Sequence, residues 1–464
     1  MTIWTPDLSG YSGPKYRALT EAIAAAIADG SLPPESKLPP QRELAWALGL
    51  SVGTVTRAYS DAGNRELVVG EVGRGTWVRT GRAKNIGKNL WGPARENEGP
   101  ISLVMNLPPG GIAAPALAET FRDLGHVDDL GYLLDHQASG RIESHSASAA
   151  AWLSRVGLNA SAEEVVLTNG AQHGILMALM ATANPGDTVL AENLTYPPLR
   201  QMAHHFGLRL QGVDMDDEGL CPDALEDACR KSNARVLYCM PTLQSPTGST
   251  MSTERRRDIA RIARRYDLVI VEDDVFGFLP VKRPPPLATF APERTLYVTS
   301  VSKSLAPGLR IGIVHVPQPY LEAYRNAVQM SCWMPSPVTA EITHRWIEDG
   351  TADRLNELVR EEMTIRCNMA KQILGKETAG LKGLSYHTWF CLPETWTAEA
   401  FRLAAEQHGV KVATGEMFAL KPGVMPQSLR LALGYETTAE RLGQGLKIIA
   451  GLLAGNGTRQ SSIV

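Results

Sequence analysis

Cysteine is sparse and unorganised in this 464-residue chain. Its six cysteines, Cys221, Cys229, Cys239, Cys332, Cys367 and Cys391, form no CxxC pair, and the first 220 residues contain none. That argues against a disulfide scaffold and a structural zinc site, and reads as reduced thiols in a cytoplasmic protein. No stretch approaches the roughly 18 consecutive apolar residues of a membrane span. The start, MTIWTPDLSG, has neither the basic nor the apolar segment of a leader, so neither a membrane span nor export is expected. A surplus of one charge is missing too: 46 basic against 49 acidic residues leave a net charge of −3, and bulk charge singles out no partner. Internal repeats and low-complexity tracts are absent. What remains, 44% hydrophobic and 20% charged, is the composition of a globular chain and excludes disordered and collagen-like classes. At roughly 150 residues per domain there is room for about three folding units and a large core.

Over residues 14–29 apolar side chains recur at helical spacing (Tyr16, Leu19, Ile23, Ile27), and Gly30 stops the pattern. A second helix is predicted over Gln41–Leu48, with Leu44, Ala45 and Leu48 on one face and Gly49 ending it. After the short turn Gly49, Leu50, Ser51, the Ser51 hydroxyl can cap a third helix from Val52 to about Asn64. Two helices joined by such a turn are the sequence form of a helix-turn-helix. Residues 67–69 and 76–78 read as short strands around Gly73, Arg74 and Gly75, a hairpin or wing. The stretch GRAKNIGKNLWGPARENEGP has no apolar periodicity and reads as a linker. The expected organisation is a small α+β domain at 1–80, a linker at 81–104 and a large domain at 105–464.

A helix that enters the major groove needs short polar or basic side chains on its first turns and small residues that let the backbone approach. Ser51, Gly53, Thr54, Thr56 and Arg57 meet that need. Arg42, opening the preceding helix, suits a phosphate, and Arg74 at the wing tip suits a minor groove or the DNA backbone. Charge does not decide the matter, because the first 80 residues hold eight basic and eight acidic side chains. On pattern alone a structural cap or an interaction module stays open.

The run KYRALTEAIAAAIADGSLPPESKLPPQRELAWALGLSVGTVTRAYSDAGNRELVVGEVGRGTWV resembles the GntR-type winged helix-turn-helix over its whole length, with the LPPQREL, TVTRAY and GRGTWV segments in place. The resemblance implies DNA contacts by Arg42, Thr54 and Arg74. Thr56 stands where that family often carries Arg, with Arg57 beside it, so either of the two is left as the residue that reaches the DNA.

Beyond about residue 105 the texture changes to strand-like apolar runs at 165–167, 188–190, 236–240, 268–271 and 295–298, separated by helical stretches, the pattern of an α/β sheet. Lys303 sits in TSVSKSLAPGLRIG. A lone lysine after a strand is most often a solvated charge, but Ser300 and Ser302 precede this one and Arg310 follows at seven residues, in a context where hydroxyls and a guanidinium can bind a phosphate dianion. An amine so placed suits imine chemistry with pyridoxal phosphate. Asp273, after the apolar strand in VIVEDDVFGFL, lies where a carboxylate can hold a protonated pyridine nitrogen; taken alone it reads equally as a helix cap or loop acid. Gly170, Ala171 and Gln172 open a helix after a strand and can offer backbone N–H groups to phosphate, although many strand-to-helix turns contain glycine.

In this order the segments TNGAQHG, NLTYPPLR, YCMPTLQSPTG, VIVEDDVF, SVSKSLAPGLRIG and SLRLALGY resemble an α/β fold-type I aminotransferase across roughly residues 105–455. The resemblance implies Lys303 as the Schiff-base lysine and Asp273 as the pyridinium partner. It also implies phosphate held by Gly170, Ala171, Gln172, Ser300, Ser302 and Arg310, a ring stacked by Tyr196, and a substrate carboxylate paired by Arg430. Tyr132 corresponds more loosely to a tyrosine that reaches a neighbouring subunit's phosphate. Two positions depart from the family: Ser245 replaces the Asn before Pro-Thr-Gly, and Phe276 replaces a Tyr, so donors to the cofactor's phenolic oxygen are lost or shortened.

A GntR-type winged helix joined by a linker to such a domain is the arrangement of the MocR subfamily of bacterial transcription regulators, which the sequence resembles from end to end. That resemblance implies a homodimer on operator DNA that senses an amino compound by exchanging the Lys303 imine for an external one. Two alternatives stay open: an active aminotransferase with an accessory DNA-binding domain, and a regulator sensing pyridoxal phosphate itself.

Overall fold

The computed structural model describes residues 4–11, 13–33, 36–64, 67–71, 75–78, 99–135, 141–378, 380–420 and 427–455. Arg74 and most of the expected linker lie outside the described residues. The chain divides into two compact units, Met1–Glu96 and Asn97–Val464.

The first unit is built from α1 (Lys15–Ala28), α2 (Gln41–Leu48) and α3 (Val52–Asn64), followed by the antiparallel pair β1 (Val68–Glu71) and β2 (Gly75–Val78). Gly49 ends α2 at φ 62°, a left-handed conformation that a side chain would strain. Ser51 Oγ accepts from the Thr54 amide at 3.1 Å and so caps α3. Val55, Ala58, Tyr59 and Ala62 share the inward face of α3 and pack with Leu19, Ile23 and Leu44 in one core. Gly53, Thr56, Arg57 and Ser60 are left on the exposed face.

The second unit carries a seven-stranded sheet of β3 (Val165–Thr168), β4 (Thr188–Glu192), β5 (Arg209–Val213), β6 (Ala234–Cys239), β7 (Val269–Asp273), β8 (Thr295–Ser300) and β9 (Gly312–His315). The spatial order is β3-β9-β8-β7-β6-β4-β5, with β9 antiparallel to both neighbours and the other pairings parallel. The apolar runs are nearly continuous because both faces are covered. Val189, Val236 and Val271 join one buried cluster, whereas Leu190, Leu237 and Ile270 join another on the opposite face. Strands β5 and β9 carry no long apolar run, and the sequence pattern did not separate them from loops.

A smaller antiparallel sheet follows, with Ser428–Ala432 between His387–Cys391 and Ala413–Thr414. Ile101–Ser102 pairs in parallel with Val410–Lys411, which anchors the segment leading into residues 103–107. Among the described residues no helix is long and apolar enough to cross a membrane, and no cluster of three His, Cys, Asp or Glu side chains could hold a metal ion.

Candidate functional site

Asp273 and Ser300 stand at the carboxyl ends of adjacent parallel strands, the edge where α/β sheets bind ligands. Asp273 is the last residue of β7 and is buried. Its Oδ2 accepts from the Tyr238 hydroxyl at 2.7 Å and its Oδ1 from the Val275 amide at 3.3 Å. Burial pushes its pKa up to about 6, against the lowering by these two donors and by the Lys303 charge. On the neighbouring strand, Ser300 ends β8, and the single-turn helix Val301–Ser304 presents Lys303. Lys303 Nζ donates to the Asn106 carbonyl, and the Lys303 carbonyl accepts from the Tyr386 hydroxyl.

Past the end of β3 the chain turns through Gly170 at φ 81° into the helix Ala171–Thr182. A Cβ at Gly170 would lie 2.7 Å from a terminal nitrogen of Arg310, so the turn and the guanidinium are in direct apposition. Arg310, itself at φ 53°, donates to the Asn169 carbonyl at 3.2 Å. The Ala171 and Gln172 amides lie in the first helical turn, where N–H groups have no partner within the helix. Ser302 Oγ is buried without a hydrogen-bond partner among the described residues. A helix N-terminus and a guanidinium set side by side can hold a phosphate. Tyr196 donates to the Gln172 side chain at 3.3 Å, and burial raises its phenol above the usual range, so it stays neutral.

Across the site, Arg430 Nη1 donates to Ser245 Oγ at 3.1 Å and Nη2 to the Val104 carbonyl, while its Cζ lies 4.6 Å from the centroid of the Phe418 ring. Arg430 Nε is buried and has no hydrogen-bond partner among the described residues. Burial lowers the Arg430 pKa to about 10, which leaves it charged at neutral pH. Phe276 is buried, with its ring centroid 5.7 Å from that of Tyr386 and 5.8 Å from that of His387.

Tyr132 does not join this group within the chain. Its hydroxyl donates to Glu341 at 3.2 Å, beside a separate cavity lined by His145, Val328 and Trp333. Sequence reasoning missed Tyr238, Tyr386, His387 and Asn106. Tyr238 carries a usable signal, since it approaches the end of a buried strand adjacent to the one bearing Asp273. The other three come from distant segments with no motif of their own.

In the first unit Arg42 is exposed on the opening turn of α2. Ser51 and Thr54 hydroxyls lie 2.8 Å apart. Thr56 Oγ1 donates to Gln41 Oε1 at 2.7 Å, which brings Thr56 to the start of α2. Arg57 turns the other way, with its Cζ 4.1 Å from the centroid of the Tyr16 ring on α1.

Comparison with known proteins joins the two units. The family of bacterial regulatory proteins of the gntR type matches residues 15–78, and aminotransferase class I and II matches residues 133–449. The HTH-type transcriptional regulator YdeF of Bacillus subtilis is 32% identical over 457 residues, covering 97% of this chain and 96% of YdeF. The chain belongs to the MocR subfamily of GntR-type regulators. YdfD of the same organism, also an HTH-type transcriptional regulator, is 26% identical over 93% of this chain and 95% of its own. Among solved structures, an archaeal alanine:glyoxylate aminotransferase aligns with a TM-score of 0.71 at 23% identity, over 77% of this chain and 92% of that one. LysN, the α-aminoadipate aminotransferase of Thermus thermophilus, aligns at 0.67 with 26% identity, over 77% and 93%.

This MocR-type regulator is therefore a DNA-binding protein with an aminotransferase-like domain, and the cofactor of that domain is pyridoxal phosphate. The residues present fit the group. The Gly170 turn leaves room only for backbone against Arg310, the Ser302 hydroxyl is buried without a hydrogen-bond partner among the described residues, and Asp273 is a buried carboxylate beside an amine.

Proposed function

We propose that this regulator holds pyridoxal phosphate at Lys303 and senses an amino compound there, and that the two states of the site differ in operator affinity. The observation that carries this is the meeting of Lys303, Asp273 and the Gly170–Arg310 cradle at the carboxyl edge of one sheet. Pyridoxal phosphate supplies an aldehyde that condenses with a primary amine to an imine. Lys303 would provide the resident amine, which an incoming primary amine would replace. Asp273 then keeps a proton on the ring nitrogen, because a buried carboxylate is best satisfied by a cationic N–H partner. Gly170, Ala171, Gln172, Ser300, Ser302 and Arg310 hold the phosphate, and Tyr196 covers the ring.

Arg430 pairs a carboxylate of the ligand through its planar fork, with Ser245 as its brace. Phe276 has no donor to offer the phenolic oxygen, which favours binding over rapid turnover and supports the sensor over a working aminotransferase. The exchange would free the Lys303 amine from the cofactor, and a second state that differs in DNA affinity would make the two sites allosteric. In a homodimer Tyr132 would reach the partner's phosphate, and paired winged domains would read two half-sites through Arg42, Ser51, Thr54, Thr56 and Arg74, with Arg57 held on Tyr16 instead.

The test is the absorption spectrum of the full chain with pyridoxal phosphate during titration with amino acids, ω-amino acids and diamines. A stable shift between two imine bands, with a parallel change in operator affinity, is expected. Loss of the imine band with release of a keto acid would make the chain an aminotransferase. A change in operator affinity on adding cofactor alone, with no further effect of amines, would make it a sensor of the cofactor.

A further inference from the structure

We propose that Asn106 is a ligand-recognising residue of this site, accepting a hydrogen bond from a donor on the side chain of the amino acid bound there. The inference rests on the reading of Lys303 given above. His387 is the buried neighbour that decides how the Asn106 amide is turned. Its Nε2 lies 3.1 Å from the Gln244 carbonyl, which can only accept, so Nε2 carries the proton. Burial, together with the Arg430 and Lys303 charges, pushes the imidazole pKa down to about 3 and keeps the ring neutral. Nδ1 is then an acceptor, and the Asn106 atom 2.9 Å from it is the amide nitrogen.

With its nitrogen committed, the amide turns its oxygen the other way. Asn106 Oδ1 is closed off from solvent and has no hydrogen-bond partner among the described residues. Its position is set by the backbone of the same segment: the Asn106 carbonyl accepts from Lys303 Nζ, and the Val104 carbonyl accepts from Arg430 Nη2. Residues 104–106 therefore run from the amine to the guanidinium. Two groups along that path are orphaned, the acceptor Asn106 Oδ1 and the donor Arg430 Nε. Buried polar groups are mostly hydrogen-bonded in the working state of a protein, and an occupant that displaces Lys303 from the Asn106 carbonyl would supply the complement of each.

That complement is an amino acid with a carboxylate for Arg430 and an N–H or O–H in its side chain for Asn106. A purely aliphatic side chain leaves Oδ1 unmade, and an acidic one sets acceptor against acceptor. His387 acts as the positioning residue for the amide.

Three matched pairs test this by titration of the full chain loaded with pyridoxal phosphate, read in the cofactor absorption band: L-serine against L-2-aminobutyrate, L-glutamine against L-glutamate, and L-ornithine against L-norleucine. Because an unmade buried hydrogen bond costs about tenfold or more in affinity, at least one pair favours its donor member by that factor. Asn106→Leu brings the ratio within about twofold, roughly what a lost neutral contact leaves. Asn106→Ala repeats the measurement should the leucine variant fail to fold, and His387→Phe lowers the ratio by releasing the amide. Equal affinities within every pair, or a ratio that survives both Asn106 variants, overturns the inference while leaving the Lys303 reading intact. A cofactor band that no amino acid in the panel shifts also overturns it. Absence of any imine band in the wild-type protein removes the Lys303 reading as well.

Discussion

The hydroxyl of Tyr238 donates to Asp273 Oδ2 at 2.7 Å, from the strand next to the one that Asp273 ends. This bond lowers the Asp273 pKa, yet burial outweighs it and the carboxyl still titrates near 6. A raised carboxyl pKa means that the folded state binds its proton more tightly than the unfolded state does. Stability is therefore lost as pH rises from about 4 through about 6, and the buried charge weakens the cofactor-free protein above that window.

Asp273→Asn keeps an acceptor for Tyr238 and removes the charge. The cofactor-free variant should be more stable than wild type at pH 7.5 and unfold at a higher temperature, by at most about 3 kcal/mol for a carboxyl raised to about 6. The margin shrinks toward pH 4, and thermal melts of both proteins across this range measure it. The same variant should hold pyridoxal phosphate more weakly, since no charge is left for the ring nitrogen. A margin that does not vary with pH would disprove the assigned titration.

Lys303→Ala removes the amine and leaves the single-turn helix that carries it. The variant should fold, with a melting temperature within a few degrees of wild type, and should show no imine absorption with pyridoxal phosphate. An imine band that persists means another lysine carries the chemistry.

Gly170→Ala sets a Cβ 2.7 Å from Arg310 and asks alanine to adopt φ 81°. The flexible guanidinium gives way before the backbone does, so the variant loses one arm of the phosphate cradle. Affinity for pyridoxal phosphate should fall by about tenfold, the order expected for a lost charge-assisted hydrogen bond. Affinity for pyridoxal, which lacks the phosphate, should be unchanged. Equal losses for the two compounds would point to general distortion instead.

Arg42 and Arg57 make opposite predictions on the DNA-binding side. Arg42 is exposed at the start of α2, and Arg42→Ala should lower the slope of log affinity against log salt by about one. Arg57 is stacked on Tyr16, and Arg57→Ala should leave that slope unchanged while costing roughly 0.5–1 kcal/mol of stability in the first unit. Operator titrations at several salt concentrations, with denaturant melts, separate the two effects.

The helices of the first unit and the strand ends bearing Asp273 and Lys303 were legible because their signals are local. The inward face of α3 repeats at the helical period, Ser51 caps the residue three positions on, and Gly49 permits a left-handed turn; each depends only on neighbours in the chain. Segment order did the same for Lys303, Asp273 and Arg310, whose spacing follows from strand and turn lengths.

Other features depend on which segments the fold sets side by side. Within TVTRAY nothing local decides that Arg57 leans on Tyr16 while Thr56 meets Gln41; the packing angle of α1 against α3 does. Asn106 and His387 are 281 residues apart, and neither sits in a recognisable motif. They meet because the strand pairing of residues 101–102 with 410–411 carries one of them to the edge of the small sheet that holds the other. Short-range chemistry in the sequence therefore determined the elements, and the resemblance of ordered segments singled out Lys303. Long-range pairing of strands alone decided which polar groups surround it, because hydrogen bonds between side chains form only after the backbone has brought them within reach.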